Sequence, residues 1–578
     1  KQNNRIKLVF IISSTLLLFV LIKVFYIEVI EYNKLYDLAN ELWSRNLTVQ
    51  ADRGRILDRN GKIIVDNITT VGLYLVPTQI KDKEKVSTEL SKILNVSYEE
   101  MYKHVSKKTS IERVHPEGRN LTHEIADKIE ALNFDGVYLL KESKRNYQYK
   151  EVLSHVIGYT GIDNQGLSGL ELKYDKILTG TNGNIKYYSD GKGNRLSMSE
   201  IYEEPINGKD VYLTVDLDIQ LSLENELKNA YEKYNADGAI GIVMNPNTGE
   251  ILAMTSMPSF NPENYQNYNE EIINRNLAIW SNFEPGSTFK IMTLAASINE
   301  GVVNVFEDKF NDTGSIKVAS STLHCWKRKG HGLQTYVQVA ENSCNPGFVT
   351  LGLKLGKDKL FNYINEFGFG KKTGIDLNGE GTGILFNKDK IGPVELATTA
   401  FGQGISVTAI QQVTAVSSVV NGGTLYTPYI VSKIDKDKNE PIIKRKNIIT
   451  KETSDLVKYV LESVVANGSG RNAYIENYRV GGKTGTAQKV GSNGQYMQGN
   501  YVLSFIGFMP SDKPEYVIYI ALDNPKGVTQ YCGVASAPIA KNVLKDIISI
   551  YDLKEDKNGI PKVYRWDDIV YETIPSII

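Results

Sequence analysis

The sequence predicts an α+β protein carried on one membrane-spanning helix, and three observations support that reading. An apolar run opens the chain, strand-like segments sit at both ends of the C-terminal half, and helical patterns fill the stretch between them. Strands grouped at the ends, rather than alternating with helices, point to an antiparallel sheet backed by helices.

The apolar run is Leu8 to Ile22, extended past Lys23 by Val24 to Ile27. About twenty such residues suffice to cross a bilayer, and Lys23 can snorkel to the outer face. Lys1, Arg5 and Lys7 precede the span, which places the N-terminus in the cytoplasm and the rest of the chain outside. Lys23-Val-Phe-Tyr does not resemble a small-x-small cleavage site, so an anchor is expected rather than a cleaved signal peptide. Glu28 to Asn46 then reads as a polar, helical connector.

From about Leu47 to Gly208, short apolar alternations (Ile63 to Val65, Val71 to Val76) mix with helical pieces such as Glu84 to Leu94. No pair of acids there sits in a recognisable catalytic setting. The C-terminal half opens near Asp210 to Gln220. Gly238 to Met244 reads as a buried strand, with Gly249 to Met254 as its hairpin partner. Further strands are expected at Tyr501 to Met509 and Tyr516 to Leu522, and a helix from Pro538 to Ile550. The expected organisation is an anchor at 1–30, an elongated mixed domain at 31–208, a larger α+β domain at 209–552 and a tail at 553–578. With 578 residues, two or three domains are expected. The 66 basic and 67 acidic side chains nearly cancel, so no overall field draws in nucleic acid.

Ser287-Thr-Phe-Lys290 is the most informative stretch. Pro285 and Gly286 break the chain before it, and the apolar run from Phe289 onward reads as a helix. Ser287 then sits near the first turn, where unpaired amides favour a developing alkoxide. Lys290 lies one turn on, on the same face, within reach of the serine hydroxyl. A serine beside a base is a covalent nucleophile. Ser343-Cys344-Asn345 follows on an expected loop, and Lys483-Thr484-Gly485-Thr486 follows the strand-like Tyr478 to Val480. A second triplet, Lys372-Thr373-Gly374, lies among glycines and reads as a turn between a helix and a strand.

The three motifs, in this order, are those of penicillin-binding proteins and serine β-lactamases. With Arg53 to Gly61, Gly169 to Gly180 and Phe401 to Thr408, the chain resembles class B penicillin-binding proteins over nearly its whole length. Within that family it looks most similar to the division and sporulation proteins of Gram-positive spore formers. The resemblance implies an anchored peptidoglycan D,D-transpeptidase, acylated by β-lactams, with residues 31–208 as a non-catalytic pedestal. It implies that Ser287 attacks a D-Ala-D-Ala stem, that Lys290 takes its proton as a neutral amine, and that Ser343 relays a proton to the leaving amine. Asn345 would bond Lys290 and the donor amide. Lys483 and Thr484 would hold the terminal carboxylate, and the amides of Ser287 and Thr486 would bind the oxyanion. Lacking a glycosyltransferase signature, such a protein depends on a membrane polymerase of the shape, elongation, division and sporulation family. Rival readings are a hydrolase of the same fold, namely a D,D-carboxypeptidase or β-lactamase, and a non-enzymatic β-lactam sensor or scaffold. The end of the chain, Ile574 to Ile578, resembles the first strand of a wall-binding repeat, which would make the sequence a truncated one.

The three cysteines are Cys325, Cys344 and Cys532. Cys325, His331 and Cys344 could converge, because Cys344 is the middle residue of the second motif and can point behind the cleft that Ser343 and Asn345 face. Two thiols and an imidazole suit tetrahedral zinc, with a carboxylate as fourth ligand. Asp312 is the first choice for that ligand, ahead of Cys532 and His324. Such a zinc would be structural, pinning the Ser343 loop. A Cys325–Cys344 disulfide and plain packing are the alternatives.

Overall fold

The computed structural model describes residues 2–36, 44–188, 201–491, 494–529 and 533–562. The chain divides into two compact units: residues 1–53, 67–144 and 179–208 form one, and 54–66, 145–178 and 209–578 the other. The range 31–208 expected for one domain is therefore shared between both.

In the first unit, the N-terminal helix Gln2–Phe25 is long and apolar enough to cross a membrane. It continues as a wider turn at Tyr26–Ile30 and is helical again over 32–36, as expected for the connector, and a strand begins at Ser44 where the connector was expected to end. That strand, Ser44–Val49, pairs antiparallel with Gly183–Tyr188, which pairs with Ile201–Glu203. Helices Lys83–Leu94, Tyr98–Ser106 and His123–Glu130 bury Val86, Leu90, Met101, Val105 and Ile129 together. Asp82, Ser97 and Thr122 cap them, each side chain accepting from an otherwise orphaned amide.

The second unit is built on a five-stranded antiparallel sheet: β1 (Gly238–Met244), β2 (Ile251–Met257), β3 (Gly481–Val490), β4 (Tyr496–Met509) and β5 (Tyr516–Asp523). The order across it is β2-β1-β5-β4-β3. Both faces are covered, which is why β1 is buried at every residue and reads as an unbroken apolar run. Alternate side chains serve different cores. Ala239 and Val243 pack with helices α1 (Leu217–Lys233) and α7 (Ser536–Tyr551). Ile240, Ile242 and Met244 pack with α2 (Lys290–Asn299), α4 (Asn345–Glu366), α5 (Ala409–Val420) and α6 (Lys451–Asn467). A short helix, α3 (Tyr336–Glu341), precedes α4.

The expected strands and the final helix thus exist, with ends shifted by a few residues. Two expectations need correction. Tyr478–Val480 is not a strand: Tyr478 N donates to Ile475 O in a turn, and β3 starts at Gly481, so the third motif lies within the strand. The α-helix after the first motif starts at Lys290, while Gly286–Thr288 forms a tight 3₁₀ turn before it. Residues 574–578 lie outside the described residues.

Candidate active site

The turn that carries Ser287 is held by close backbone approaches. Gly286 has φ +54° and donates its amide to Gly402 O at 3.0 Å. Thr288 Oγ1 donates to Pro285 O at 2.8 Å. A methyl at Gly286 would come within 2.6 Å of Thr486 O, and one at Gly485 within 2.8 Å of Thr288 Cγ2. Glycine at both places lets β3 lie directly against the turn that carries Ser287. Ser287 itself is half-buried, at the open end of α2. α2 is buried on every face over Lys290 to Ser297, so the turn leads into a helix embedded in the core.

Lys290 and Lys483 are both 1% exposed, and they converge on one hydroxyl. Lys290 Nζ donates to Ser343 O (2.8 Å), Ser343 Oγ (3.2 Å) and Asn345 Oδ1 (2.7 Å), and it lies 5.2 Å from the centre of the Phe348 ring. Lys483 Nζ donates to Ser343 Oγ at 2.9 Å and to Thr484 O at 3.1 Å. Ser343 adopts the left-handed conformation (φ +51°) between α3 and α4, which is uncommon for a side chain with a Cβ. That reversal turns Ser343 and Asn345 toward the lysines, while Cys344 points away and is fully buried.

Behind the loop, Asp312, Cys325, His331 and Cys344 each offer one ligand atom, all within 4.8 Å of one another. Neither Cys325 nor Cys344 is in a disulfide. His331 Nδ1 lies 2.7 Å from Asp312 Oδ2 and 3.6 Å from Cys325 Sγ. The Cys344 thiol beside it pushes the Cys325 thiol well below its ordinary range, against its burial. Burial opposes ionisation of both His331 and Asp312. Yet His331 is raised by Cys325 and Asp312, and Asp312 is lowered by His331. Soft and borderline donors in this ratio are the set that suits zinc. The segment from 324 to 331 also braces the second motif directly. Trp326 Nε1 donates to Asn342 O at 2.8 Å, and Asn345 Nδ2 donates to His324 O at 3.2 Å. His324, named as an alternative ligand, is thus used through its carbonyl, with its side chain outside the cluster. Cys532 lies outside the described residues.

Residues 239–545 match the penicillin binding protein transpeptidase domain, and residues 48–213 match the penicillin-binding protein dimerisation domain. Stage V sporulation protein D of Bacillus subtilis is 51% identical over 99% of this chain and 90% of its own length. The chain belongs to the penicillin-binding protein family. Peptidoglycan D,D-transpeptidase FtsI of Escherichia coli is 28% identical to this penicillin-binding protein over 93% of it and 90% of the relative. The fold is shared with the crystal structure of penicillin binding protein 2X from Streptococcus thermophilus. That match has a TM-score of 0.72 and 24% identity, and covers 88% of this chain and 80% of the other.

Within this penicillin-binding protein the second Lys-Thr-Gly triplet is structural. Thr373 N and Oγ1 both donate to Glu380 Oε1 at 2.5 Å, and Lys444 Nζ donates to Thr373 O at 2.6 Å. It follows the end of α4, but no strand follows it; Asp376 instead accepts from Ile430 N and Val431 N. Two residues that the motifs do not reveal belong near the site. Glu284 accepts from Gly404 N at 2.8 Å and from Tyr496 OH at 3.0 Å, so it fastens β4 and the 402–406 loop to the nucleophile segment. Ser469 accepts from Thr484 Oγ1 at 3.2 Å. Neither carries a sequence signal beyond a Glu before Pro-Gly and a Ser between two glycines.

Proposed function

We propose that this penicillin-binding protein is a peptidoglycan D,D-transpeptidase working through a Ser287 acyl-enzyme. The observation that carries the reading is the Ser343 hydroxyl, shared by two buried lysines beside the Ser287 turn. Ser287 Oγ attacks the carbonyl of the penultimate D-alanine in a donor stem, and the neutral Lys290 amine takes its proton. The amides of Ser287 and Thr486 stabilise the oxyanion, contributing about 3 kcal/mol each. As the C–N bond breaks, Ser343 passes a proton to the departing D-alanine, and Lys290 reprotonates Ser343 through their contact. Lys483 and Thr484 hold the stem carboxylate. An acceptor amine from a neighbouring stem then attacks the ester, forms the crosslink and returns the proton to Ser287. β-Lactams enter the same path and stop at the ester.

The N-terminal helix serves as the anchor, and Lys1, Arg5 and Lys7 before it favour a catalytic unit on the outer face of the cell membrane. Glycan strands come from a membrane glycosyltransferase of the shape, elongation, division and sporulation family. Asp312, Cys325, His331 and Cys344 hold a structural zinc. Its chemistry there is to fix four donors, and its consequence is a rigid Asn342–Asn345 segment.

Intact-protein mass after incubation with penicillin, with peptide mapping, tests the reading. A stable single adduct on Ser287 is expected. No adduct on folded protein, or rapid turnover of the antibiotic, would overturn it.

A further inference from the structure

We infer that Lys327, Arg328 and Lys329 form an anion-binding lip on the second-motif side of the cleft, where they recognise a carboxylate on the donor stem upstream of its scissile D-alanine. The inference rests on the transpeptidase reading and names a feature of its substrate, an acidic stem peptide.

The lip lies between the hairpin of Ser315–Val318 with Ser321–His324 and the strand Gly332–Thr335. It is tied to the second motif on both sides of Cys325. His324 O accepts from Asn345 Nδ2 at 3.2 Å, and Trp326 Nε1 donates to Asn342 O at 2.8 Å. Asn345 Oδ1 in turn accepts from Lys290 Nζ at 2.7 Å, so His324 stands two hydrogen bonds from the lysine of the first motif. Beyond Trp326 the chain reverses. Gly330 N donates to Lys327 O at 2.8 Å, which puts Arg328 and Lys329 at the corners of a tight turn. The backbone of that turn is closely packed: a methyl on Gly314 would lie 2.0 Å from Arg328 O, and one on Gly330 would lie 2.1 Å from Asp312 O. The three cations are therefore carried on a fixed backbone.

Charge and exposure give the chemistry of the ligand. All three side chains are exposed, and none makes an ion pair among the described residues. The acids nearest to them along the chain are engaged elsewhere: Asp312 accepts from His331, and Glu341 accepts from Ser463. Three cations without acid partners set up a positive potential at the edge of the cleft, and a guanidinium can grip a carboxylate through two parallel bonds. Trp326 adds an apolar surface beside them. Its N–H is spent on Asn342, yet the residue is 53% exposed. An indole next to cations fits a peptide whose side chain joins an apolar stem to a carboxylate. An extended stem advances about 3.5 Å per residue, so within two or three residues it leaves the buried lysines and can meet this lip.

Carbenicillin is benzylpenicillin with one further carboxylate on its acyl side chain, which takes the place of the stem residue before the D-alanine pair. Acylation rate constants are measured for both antibiotics, at low and at high salt, on the full chain and on its Lys327→Gln, Arg328→Gln, Lys329→Gln triple variant. Exposed ion pairs are individually weak, so the variant should lose about fivefold on carbenicillin at low salt and less than about twofold on benzylpenicillin. The loss on carbenicillin should shrink at high salt, where exposed charges are screened. Equal losses on both antibiotics would mean a structural role for the turn, and an unchanged carbenicillin rate would mean that the lip meets another anion, such as a lipid headgroup, or none; either overturns the inference. A wild type that benzylpenicillin fails to acylate would instead overturn the transpeptidase reading beneath it.

Discussion

Lys483 Nζ donates to Ser343 Oγ at 2.9 Å, joining residues 140 apart in sequence. Lys290 Nζ reaches the same oxygen at 3.2 Å, so Ser343 joins the lysine of the first motif to the lysine of the third. Ser343→Ala should lower the acylation rate by about a hundredfold, the low end for a lost proton relay. It should leave the melting temperature within a few degrees, because the backbone bonds from Ser343 N to Ala340 O and from Cys344 N to Val339 O remain. Stopped-flow acylation and thermal melts check both halves; a loss of fold would count against a chemical role.

The four-donor cluster should bind one zinc per chain. Chelation, or Cys325→Ser, should remove the metal, as read by elemental mass spectrometry, and lower the melting temperature. Acylation should slow as well, because the Trp326–Asn342 and Asn345–His324 bonds both leave from the segment that carries Cys325 and His331. A demetallated protein with unchanged acylation would show that the bracing is independent of the metal.

Glu284 supplies a pH signature. Its burial pushes the carboxyl up, and the bonds from Gly404 N and Tyr496 OH oppose that only in part. The folded state then holds the proton more tightly than the unfolded chain. The stabilising contribution is full below the ordinary glutamate value and is lost as pH rises through the elevated one. Thermal melts from acid to neutral pH should show the wild type losing stability relative to Glu284→Gln as pH rises. Parallel pH profiles for the two proteins would refute this.

His155 should act with the opposite sign. Burial lowers its imidazole from 6.5 to about 4, while its bond to Ile272 O at 2.8 Å works against the shift. The neutral ring is the one the fold accepts, so its contribution is present above the ordinary value and is lost as pH falls toward about 4. Each tenfold change in proton affinity corresponds to about 1.4 kcal/mol. His155→Gln, which keeps an N–H donor, should therefore resist acid better than the wild type across that window.

The nucleophile turn should be intolerant at Gly402. A methyl there would lie 2.1 Å from Gly286 O, and φ is +85°, a conformation that other residues adopt at a cost. Gly402→Ala should cost about 2 kcal/mol or more of stability and slow acylation together, since the bond from Gly286 N to Gly402 O sets the turn. Wild-type melting and acylation in this variant would contradict the argument.

Local chemistry was legible in the sequence by itself. The apolar anchor, the buried strands Gly238–Met244 and Tyr516–Asp523, and the spacing of Ser287 and Lys290 are patterns of neighbouring residues, and neighbours fix period and reach. The motif order named the residues that meet around the Ser287 turn, and the cysteine spacing named Cys325, His331 and Cys344, which lie together with Asp312. The tertiary structure alone decided how those pieces touch. That both lysines reach Ser343, why Cys344 turns away from the cleft, and how Glu284, Ser469 and Trp326 join the site depend on contacts between distant segments. Those contacts are set by side-chain volume at Gly286, Gly402, Gly468 and Gly485, where a single methyl would block the approach. A residue's local pattern carries no record of the backbone that will lie against it, so these relationships become visible only when the chain is packed.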